Sequence, residues 1–345
     1  MTTEHTGQEN KRATMKDVAR RAGVTIGTVS HVINGTAPIS EETTARVREA
    51  IRALNYVPNL AARHMRRKEK RQIGLLIPKL DNNFYARIAS VLMEDADQED
   101  YTVLMLSYEY SSDKEKRGLV NMVQNDTETI VIVNGENDES SIRRLVASGI
   151  HVILADRRSS IPGTSYIAYD NHQVLLETIA FLKQKGYRSI GFLSEPLNIS
   201  NLSDRFQAYQ EGLAQYGYPF RPEHVFISGT FREDHFGNGF RYMEQLLRTH
   251  ARQELPEVFI ASSDLLAVGV MKAVQEAGYR IPEDFAIVGF DNLQISACVQ
   301  PPLTTVCQDR AQLGHEIWKQ ARAWHEGRPP QNVVLGQTLV IRGSC

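Results

Sequence analysis

Apolar residues at helical spacing predict two short helices near the start of the chain, where residues 14–36 read TMKDVARRAGVTIGTVSHVINGT. The first helix places three apolar residues on one face: Val18, Ala19 and Ala22. Thr14 and Asp17 have the spacing of a capping box at its start. Gly23 predicts its end, because glycine enters the left-handed conformation without a Cβ penalty.

The second helix is predicted to start at Thr25, only two residues after Gly23. Its buried side consists of Val29, Val32 and Ile33. Two short helices joined by a glycine turn are typical of a helix-turn-helix, whose second helix enters the major groove of DNA. The outward residues at the start of this helix are Thr25, Ile26, Gly27, Thr28 and His31. On spacing alone, an ordinary helical hairpin remains the alternative.

A third helix is predicted from the N-cap Ser40 to Leu54, where it would close a three-helix core. Pro58 predicts that the helix has ended by that point, because the residue before a proline avoids the helical region. Residues 59–72 then read NLAARHMRRKEKRQ, a basic segment too short to be a stable helix in water. It suits a hinge that folds only on DNA, and a charged linker without a specific role is the alternative.

From residue 73 onward, short apolar runs alternate with amphipathic stretches in two successive series. This alternation predicts βαβ units and buried parallel sheets. The predicted strands are 73–77, 103–106, 130–133 and 152–154, then 190–193, 225–227, 258–260 and 287–288. The predicted helices are 84–97, 140–148, 172–185, 204–216, 236–249 and 263–277. The predicted fold is therefore a small all-α head followed by an α/β body of two doubly wound subdomains, with a ligand at the carboxyl ends of the strands.

Charge is distributed unevenly over the 345 residues, although the net charge is only −2. Residues 1–71 hold 14 Lys and Arg against 7 Asp and Glu, whereas the remainder holds 25 against 34. A basic head joined to an acidic body indicates a polyanion partner for the head alone.

The cysteines and the start of the chain bear on metal binding and targeting. The three cysteines, Cys298, Cys307 and Cys345, have no metal-ligand spacing and suit a reducing compartment. The polar start of the chain has no secretory signal, and no run of 18 apolar residues occurs. We therefore expect a cytoplasmic protein without a membrane span or a metal, whose residues 1–12 form a disordered tail.

Two other classes of protein share a two-lobed α/β body. An enzyme is disfavoured because the chain has no phosphate-binding loop, no GxGxxG after the first strand, no HExxH and no nucleophile elbow. A plain solute-binding protein is opposed by the basic helix-turn-helix and by the missing signal segment.

Seven segments occur in an order and spacing that resemble the LacI/GalR family of bacterial transcription regulators. They are MKDVARRAGV, TVSHVIN, LNYVPNLAARHM, IGLLIP, SSDLLAVG, VGFDN and PPLTTV. The resemblance implies a helix-turn-helix domain at 13–58, a hinge helix and linker at 59–72, and a two-lobed effector-binding and dimerisation domain at 73–345. That domain would have the fold of a type I periplasmic binding protein. The function implied is a repressor whose operator affinity a small molecule controls without any cofactor.

The resemblance also implies which residues contact DNA. Base-reading positions would be Thr25, Ile26, Gly27 and His31, and phosphate contacts would come from Thr28, Ser30 and Asn34. In the hinge, Arg63 would contact DNA, and Met65 would wedge into the minor groove where relatives usually have Leu. Relatives usually carry a larger residue at Gly27 and often an Arg at His31, so we expect a different operator base there.

Effector contacts implied by the resemblance are Tyr85, Asp156, Arg205, Phe231, Ser263 and Asp291. Carboxylates and a guanidinium suit a polyhydroxylated ligand, and aromatic faces suit a sugar ring or a base. We expect a sugar or sugar derivative; a purine, a nucleoside or a phosphocarrier protein is the alternative. Asn83 replaces the usual proline before Tyr85, which frees the backbone of that loop.

A homodimer on a pseudo-palindromic operator is expected, because half-site symmetry mirrors protein symmetry. No apolar heptad repeat of the kind that lets some relatives form tetramers follows VLGQTLVIRGS. Whether the effector weakens or tightens DNA binding stays open.

Overall fold

The computed structural model describes residues 13–56, 71–135 and 139–345. The chain divides into two compact units, residues 1–70 and 71–345. The expected tail at residues 1–12 and nearly all of the expected hinge, including Arg63 and Met65, lie outside the described residues.

The first unit contains the three helices that the apolar spacing predicts: α1 (Met15–Ala22), α2 (Ile26–Asn34) and α3 (Glu41–Ala53). The capping box is present, with the Thr14 backbone N–H donating to Asp17 Oδ2 at 3.0 Å and the Asp17 N–H donating to Thr14 Oγ1 at 3.3 Å. Gly23 ends α1 with φ +64°. The predicted faces form one core of Val18, Ala19, Ala22, Val29, Val47, Ala50 and Tyr56.

The second unit begins with a six-stranded parallel sheet. Its strands are β1 (Gln72–Ile77), β2 (Thr102–Ser107), β3 (Thr129–Val133), β4 (His151–Ala155), β5 (Thr164–Tyr169) and β11 (Val333–Leu335), in the order β11-β5-β4-β3-β1-β2. Its helices are α4 (Asn83–Asp97), α5 (Ser112–Gln124), α6 (Glu139–Ala147) and α12 (Arg310–His325).

A second six-stranded sheet has a related order. Its strands are β6 (Ile190–Ser194), β7 (Val225–Ile227), β8 (Val258–Ala261), β9 (Ala286–Asp291), β10 (Thr304–Cys307) and β12 (Thr338–Val340), ordered β12-β10-β9-β8-β6-β7 with β12 antiparallel to β10. Its helices are α7 (Asn171–Gln184), α8 (Ser200–Gln215), α9 (His235–Thr249), α10 (Asp264–Glu276) and α11 (Gln294–Cys298). Short 3₁₀ turns lie at Pro222–His224, Gly229–Arg232 and Arg252–Glu254.

The predicted pair of doubly wound subdomains is confirmed, and the chain passes between them three times: after β5, after β10 and between β11 and β12. In each sheet the strand order reverses next to the first strand of its series, β1 or β6, which places a crevice at the carboxyl ends of the strands.

Several elements were not predicted, namely α5, α11, α12, β5, β10, β11 and β12. The reason is visible in β10, whose Thr304 and Thr305 are fully buried although their hydroxyls make the segment look polar. The predicted start of α8 at residue 204 was also four residues late, because its first turn is polar.

Candidate functional site

A cavity of about 60 Å³ lies between the two subdomains at the carboxyl ends of their strands. Both subdomains contribute to its wall, which is mainly polar. The lining residues are Asn82, Phe84, Tyr85, Tyr110, Asn134, Asp156, Glu195, Ile199, Asn201, Leu202, Arg205, Arg232, His235, Ser262, Ser263, Asp291 and Gln308.

Five of the six residues expected at an effector site line this cavity: Tyr85, Asp156, Arg205, Ser263 and Asp291. Phe231 does not. It is fully buried in the hydrophobic core of the second subdomain, with its ring edge-on to Tyr242 at 5.2 Å. The 3₁₀ turn that contains it directs the neighbouring Arg232 to the cavity instead.

Asp156 follows β4 and belongs to a hydrogen-bonded group that joins the two subdomains. Asn201, in the first turn of α8, donates its amide to Asp156 Oδ2 and to Asn134 Oδ1, both at 3.1 Å. Asn134 in turn donates to Tyr85 Oη at 3.1 Å. The second carboxylate oxygen, Asp156 Oδ1, is buried and has no hydrogen-bond partner.

Burial raises the pKa of Asp156 to about 6. The positive charge of Arg205 and the hydrogen bonds that Asp156 accepts lower the pKa, but they do not offset this rise. Asp156 also has φ +56°, a left-handed conformation that few residues other than glycine adopt. Asp and Asn adopt this conformation more readily than other non-glycine residues, and such positions recur at binding and catalytic sites.

Arg205 lies on α8 and is almost completely buried. Its guanidinium donates to Asn171 Oδ1 at 2.8 Å, to the Ser262 carbonyl at 2.9 Å and to Gln308 Oε1 at 3.1 Å. It also stacks over the ring of Phe290, 4.0 Å from the centroid. These contacts fix the guanidinium plane at the wall of the cavity, where its remaining N–H groups can serve a ligand.

Asp291 is the last residue of β9 and has φ +106°. One of its oxygens accepts a 2.7 Å hydrogen bond from Gln308. Burial and the nearby carboxylate of Asp264 raise its pKa well above the usual range, despite Arg205. This carboxylate therefore gains from any hydrogen-bond donor that enters the cavity.

A third carboxylate in the cavity wall, Glu195, has the opposite behaviour. It accepts from His235 Nε2 at 2.6 Å and from the hydroxyl of Ser262. Burial alone would raise its pKa, but the hydrogen bond and charge of His235, together with Ser262, bring the pKa to about 2. Glu195 is thus held ionised by its own protein partners.

The sequence interpretation missed much of this wall: Asn82, Phe84, Tyr110, Asn134, Glu195, Ile199, Asn201, Leu202, Arg232, His235, Ser262 and Gln308. A usable signal existed for Asn134 and Glu195, because each is the first polar residue after a buried strand, TIVIV and IGFLS. Asn201 and His235 begin helices, and no pattern in the sequence marks them.

In the first unit, the four expected base-reading residues are exposed on α2 and at its cap, while Val29 beneath them is buried. Thr25 is the N-cap, and its Oγ1 accepts the Thr28 N–H at 3.1 Å. Thr28 and Ser30 are half-buried. The side chain of Asn34 lies outside the described part of the structure.

Within residues 13–56, 71–135 and 139–345, no helix is long and apolar enough to cross a membrane. The same ranges contain no group of three His, Cys, Asp or Glu side chains that could hold a metal ion.

Comparison with known proteins identifies two families of domain. Residues 14–59 match bacterial regulatory proteins of the lacI family, and residues 179–345 match a periplasmic binding protein-like domain.

Two similar proteins carry the names of regulators. Catabolite control protein A of Priestia megaterium is 30% identical over 305 residues, covering 87% of this chain and 89% of that protein. The ribose operon repressor of Escherichia coli (strain K12) is 31% identical over 306 residues, covering 88% and 90%.

Among solved structures, the lac repressor dimer bound to operator and the anti-inducer ONPF is similar to the chain with a TM-score of 0.82. It is 25% identical and covers 97% of this chain and 99% of that one. The chain therefore belongs to the lacI family of bacterial regulatory proteins and is a DNA-binding transcriptional regulator with an effector-binding domain.

Proposed function

We propose that the chain is an operator-binding repressor whose DNA affinity is set by a neutral, polyhydroxylated small molecule, a sugar or sugar derivative, in the cleft. The observation that carries this proposal is the surplus of buried acceptors in the cavity wall. Asp156 Oδ1 has no partner, and Asp291 has a strongly raised pKa. A ligand that presents several hydroxyl groups supplies the donors that these carboxylates lack.

The charges in the wall also argue against a phosphorylated ligand. Asp156, Glu195 and Asp291 are three carboxylates in one cavity with Arg205, Arg232 and His235, and His235 is already paired with Glu195. Arg205 is already committed to three protein acceptors. A phosphate would add negative charge beside two carboxylates that burial already penalises, and that repulsion opposes binding.

Ligand entry requires the subdomains to move, because about 60 Å³ is far below the roughly 300–1,000 Å³ of typical ligand pockets. The contacts that must change span both rims of the cleft. Arg158 bonds to Ser200 and Asp204 of α8, and Lys79 donates to the Glu233 carbonyl at 2.6 Å. A ligand that alters this closure is coupled to DNA binding if closure also alters the spacing of two DNA-binding heads.

For the DNA-binding role, we propose a cytoplasmic homodimer without enzymatic activity, bound to a pseudo-palindromic operator. The lac repressor structure similar to this chain is a dimer bound to operator. The proposed division is a DNA-binding head at 13–58, a hinge at 59–72 with Arg63 and Met65 against DNA, and an effector domain at 73–345. In the head, Thr25, Ile26, Gly27 and His31 face bases, and Thr28, Ser30 and Asn34 face phosphates.

Two measurements on the full chain test this proposal. The operator is first selected from random DNA, and its affinity is then measured against salt, where a steep fall is expected. Neutral sugars, sugar phosphates, nucleosides and purines are next screened by thermal shift, because a ligand of the native state raises stability by mass action.

A neutral sugar is expected to raise the melting temperature and to change operator affinity. The substitution Asp156→Asn should abolish both effects. The control is Asp97→Asn, which replaces an exposed carboxylate on α4 and should leave both effects intact. A response to sugar phosphates alone would overturn the proposed ligand class, and a response to purines alone would establish the alternative.

A further inference from the structure

The turn that follows the recognition helix α2 brings the hydroxyl of Thr36 next to His31, a proposed base-reading side chain. His31 Nδ1 lies 2.9 Å from Thr36 Oγ1. Gly35 between them has φ +64°, and its N–H donates to the His31 carbonyl at 2.8 Å. Both side chains are exposed, so burial does not account for this contact.

An imidazole has two nitrogens, and the partner of one determines what the other can do. With Nδ1 engaged by Thr36, Nε2 is the ring nitrogen left to meet a base edge. The ring is also fixed in one orientation, because rotation by 180° about χ2 would break the contact with the hydroxyl. A side chain held in one orientation discriminates between base edges better than one that rotates freely.

We propose that Thr36 is a positioning residue for operator specificity: its hydroxyl fixes the His31 imidazole so that Nε2 reads one base pair of each half-site. This inference rests on the proposed base-reading role of His31. An Arg at that position would reach guanine O6 and N7 together. His31 makes a single contact, and its selectivity therefore depends on the residue that holds the ring.

The two hydroxyls at the start of the recognition helix are arranged differently. Thr25 Oγ1 accepts the Thr28 N–H and lies 2.9 Å from Thr28 Oγ1. That pair stabilises the start of the helix, as an N-cap does. Thr36 lies beyond the end of α2 and is not part of a helix cap, so its hydroxyl acts on the His31 ring rather than on the backbone of the helix.

The test is selection of operator half-sites from randomised DNA by the full chain and its variants. Thr36→Val keeps the shape and removes the hydroxyl, and Thr36→Ser restores it. Thr43→Val is the matched control, because Ser40 donates to Thr43 Oγ1 at the same 2.9 Å in the cap of α3. His31→Ala identifies the base pair that His31 reads.

Thr36→Val is expected to lower the preference at that base pair by about 2- to 10-fold, the effect of one hydrogen bond, with other positions unchanged. Thr36→Ser should retain the preference, and Thr36→Val should add nothing in the His31→Ala background. A donating Nε2 can meet guanine O6 or N7, adenine N7 or thymine O4, and an accepting Nε2 can meet the amino group of adenine or cytosine.

Two results would overturn the inference while leaving the base-reading role of His31 intact. One is an unchanged preference in Thr36→Val at a position that His31→Ala alters; the other is a loss that is uniform over all positions, as for a phosphate contact. If His31→Ala alters no position, the base-reading role itself is wrong, and the inference falls with it.

Discussion

Replacing Asp156 by Asn is expected to stabilise the folded protein at neutral pH, although it removes a central group of the effector cleft. Asp156 is only 2% exposed, and burial raises its pKa from 3.8 to about 6. A carboxyl group with a raised pKa in the folded state prefers to be protonated there. Its ionisation therefore opposes folding at every pH above the folded-state value.

The magnitude follows from the shift of about two pKa units, which corresponds to about 3 kcal/mol at pH 7. Asparagine keeps an oxygen for the hydrogen bond from Asn201. Its amide nitrogen, however, would occupy the place of Oδ1, which has no partner, and an unsatisfied buried donor costs about 1–2 kcal/mol. The net gain is then about 1–2 kcal/mol, or roughly 2–6 °C in melting temperature for a domain of this size.

The assay is thermal unfolding of the full chain and of Asp156→Asn at pH 7.5 and pH 4.5, with Asp97→Asn as the control on the exposed face of α4. The cost of ionising Asp156 is fully present above about pH 6 and disappears as the pH falls through 3.8. The gain should therefore shrink at pH 4.5. A variant less stable than the parent at pH 7.5, or a gain that is the same at both pH values, would refute the reasoning.

Three further predictions concern other parts of the molecule. Glu195→Gln should lower the unfolding free energy by about 1–3 kcal/mol at pH 7. Because the pKa of Glu195 is lowered from 4.5 to about 2, this loss should shrink in thermal melts as the pH falls below 4.5. A variant more stable than the parent at pH 7 would contradict the prediction. Gly27→Ala should raise the helical stability of the head by about 1 kcal/mol in urea titrations, since an added Cβ meets nothing closer than 3.6 Å; no gain would mean that this glycine is structurally required. Arg157→Met should cost about 3–5 kcal/mol, because it removes a buried cation near the carboxylate of Glu115 and the donor to the carbonyls of Asn134 and Gly135, whereas Arg143→Met in an exposed pair should cost under about 1 kcal/mol; equal losses in denaturant titrations would contradict this.

The parts of the fold that could be predicted from the sequence are those whose pattern lies within a few neighbouring residues. The runs at β1, β3 and β6 are apolar because helices cover both faces of a parallel sheet, and α1 carries its capping box and its terminal Gly23 within ten residues. Strands such as β11 and β12 are three residues long and acquire their pairing from distant segments. No local pattern contains that information.

The candidate site shows the same division at the level of single residues. The resemblance placed Tyr85, Asp156 and Asp291 at the effector, and the fold gives the reason why they line one cavity. Asp156 follows β4, Asp291 ends β9 and Tyr85 lies in the first turn of α4, all at the carboxyl ends of parallel strands. It also named Phe231, which lies in the hydrophobic core of the second subdomain, because whether a side chain in a 3₁₀ turn faces the core or the cleft depends on where α9 packs against that turn. Asn201 was missed because its importance lies in a contact with the other subdomain.

The carboxylates of the cleft show why burial alone does not give the chemistry of a site. Asp156 and Glu195 are both almost inaccessible, yet the pKa of the first is raised and that of the second is lowered. The difference lies in their partners, since Glu195 receives His235 and Ser262, whereas one oxygen of Asp156 receives nothing. A carboxylate satisfied by its own protein has little to gain from a ligand, but an unsatisfied one gains a hydrogen bond and loses its electrostatic penalty when a hydroxyl arrives. Under the proposed function, recognition should therefore depend on Asp156 more than on Glu195, because a bound hydroxyl would relieve a cost that only Asp156 carries.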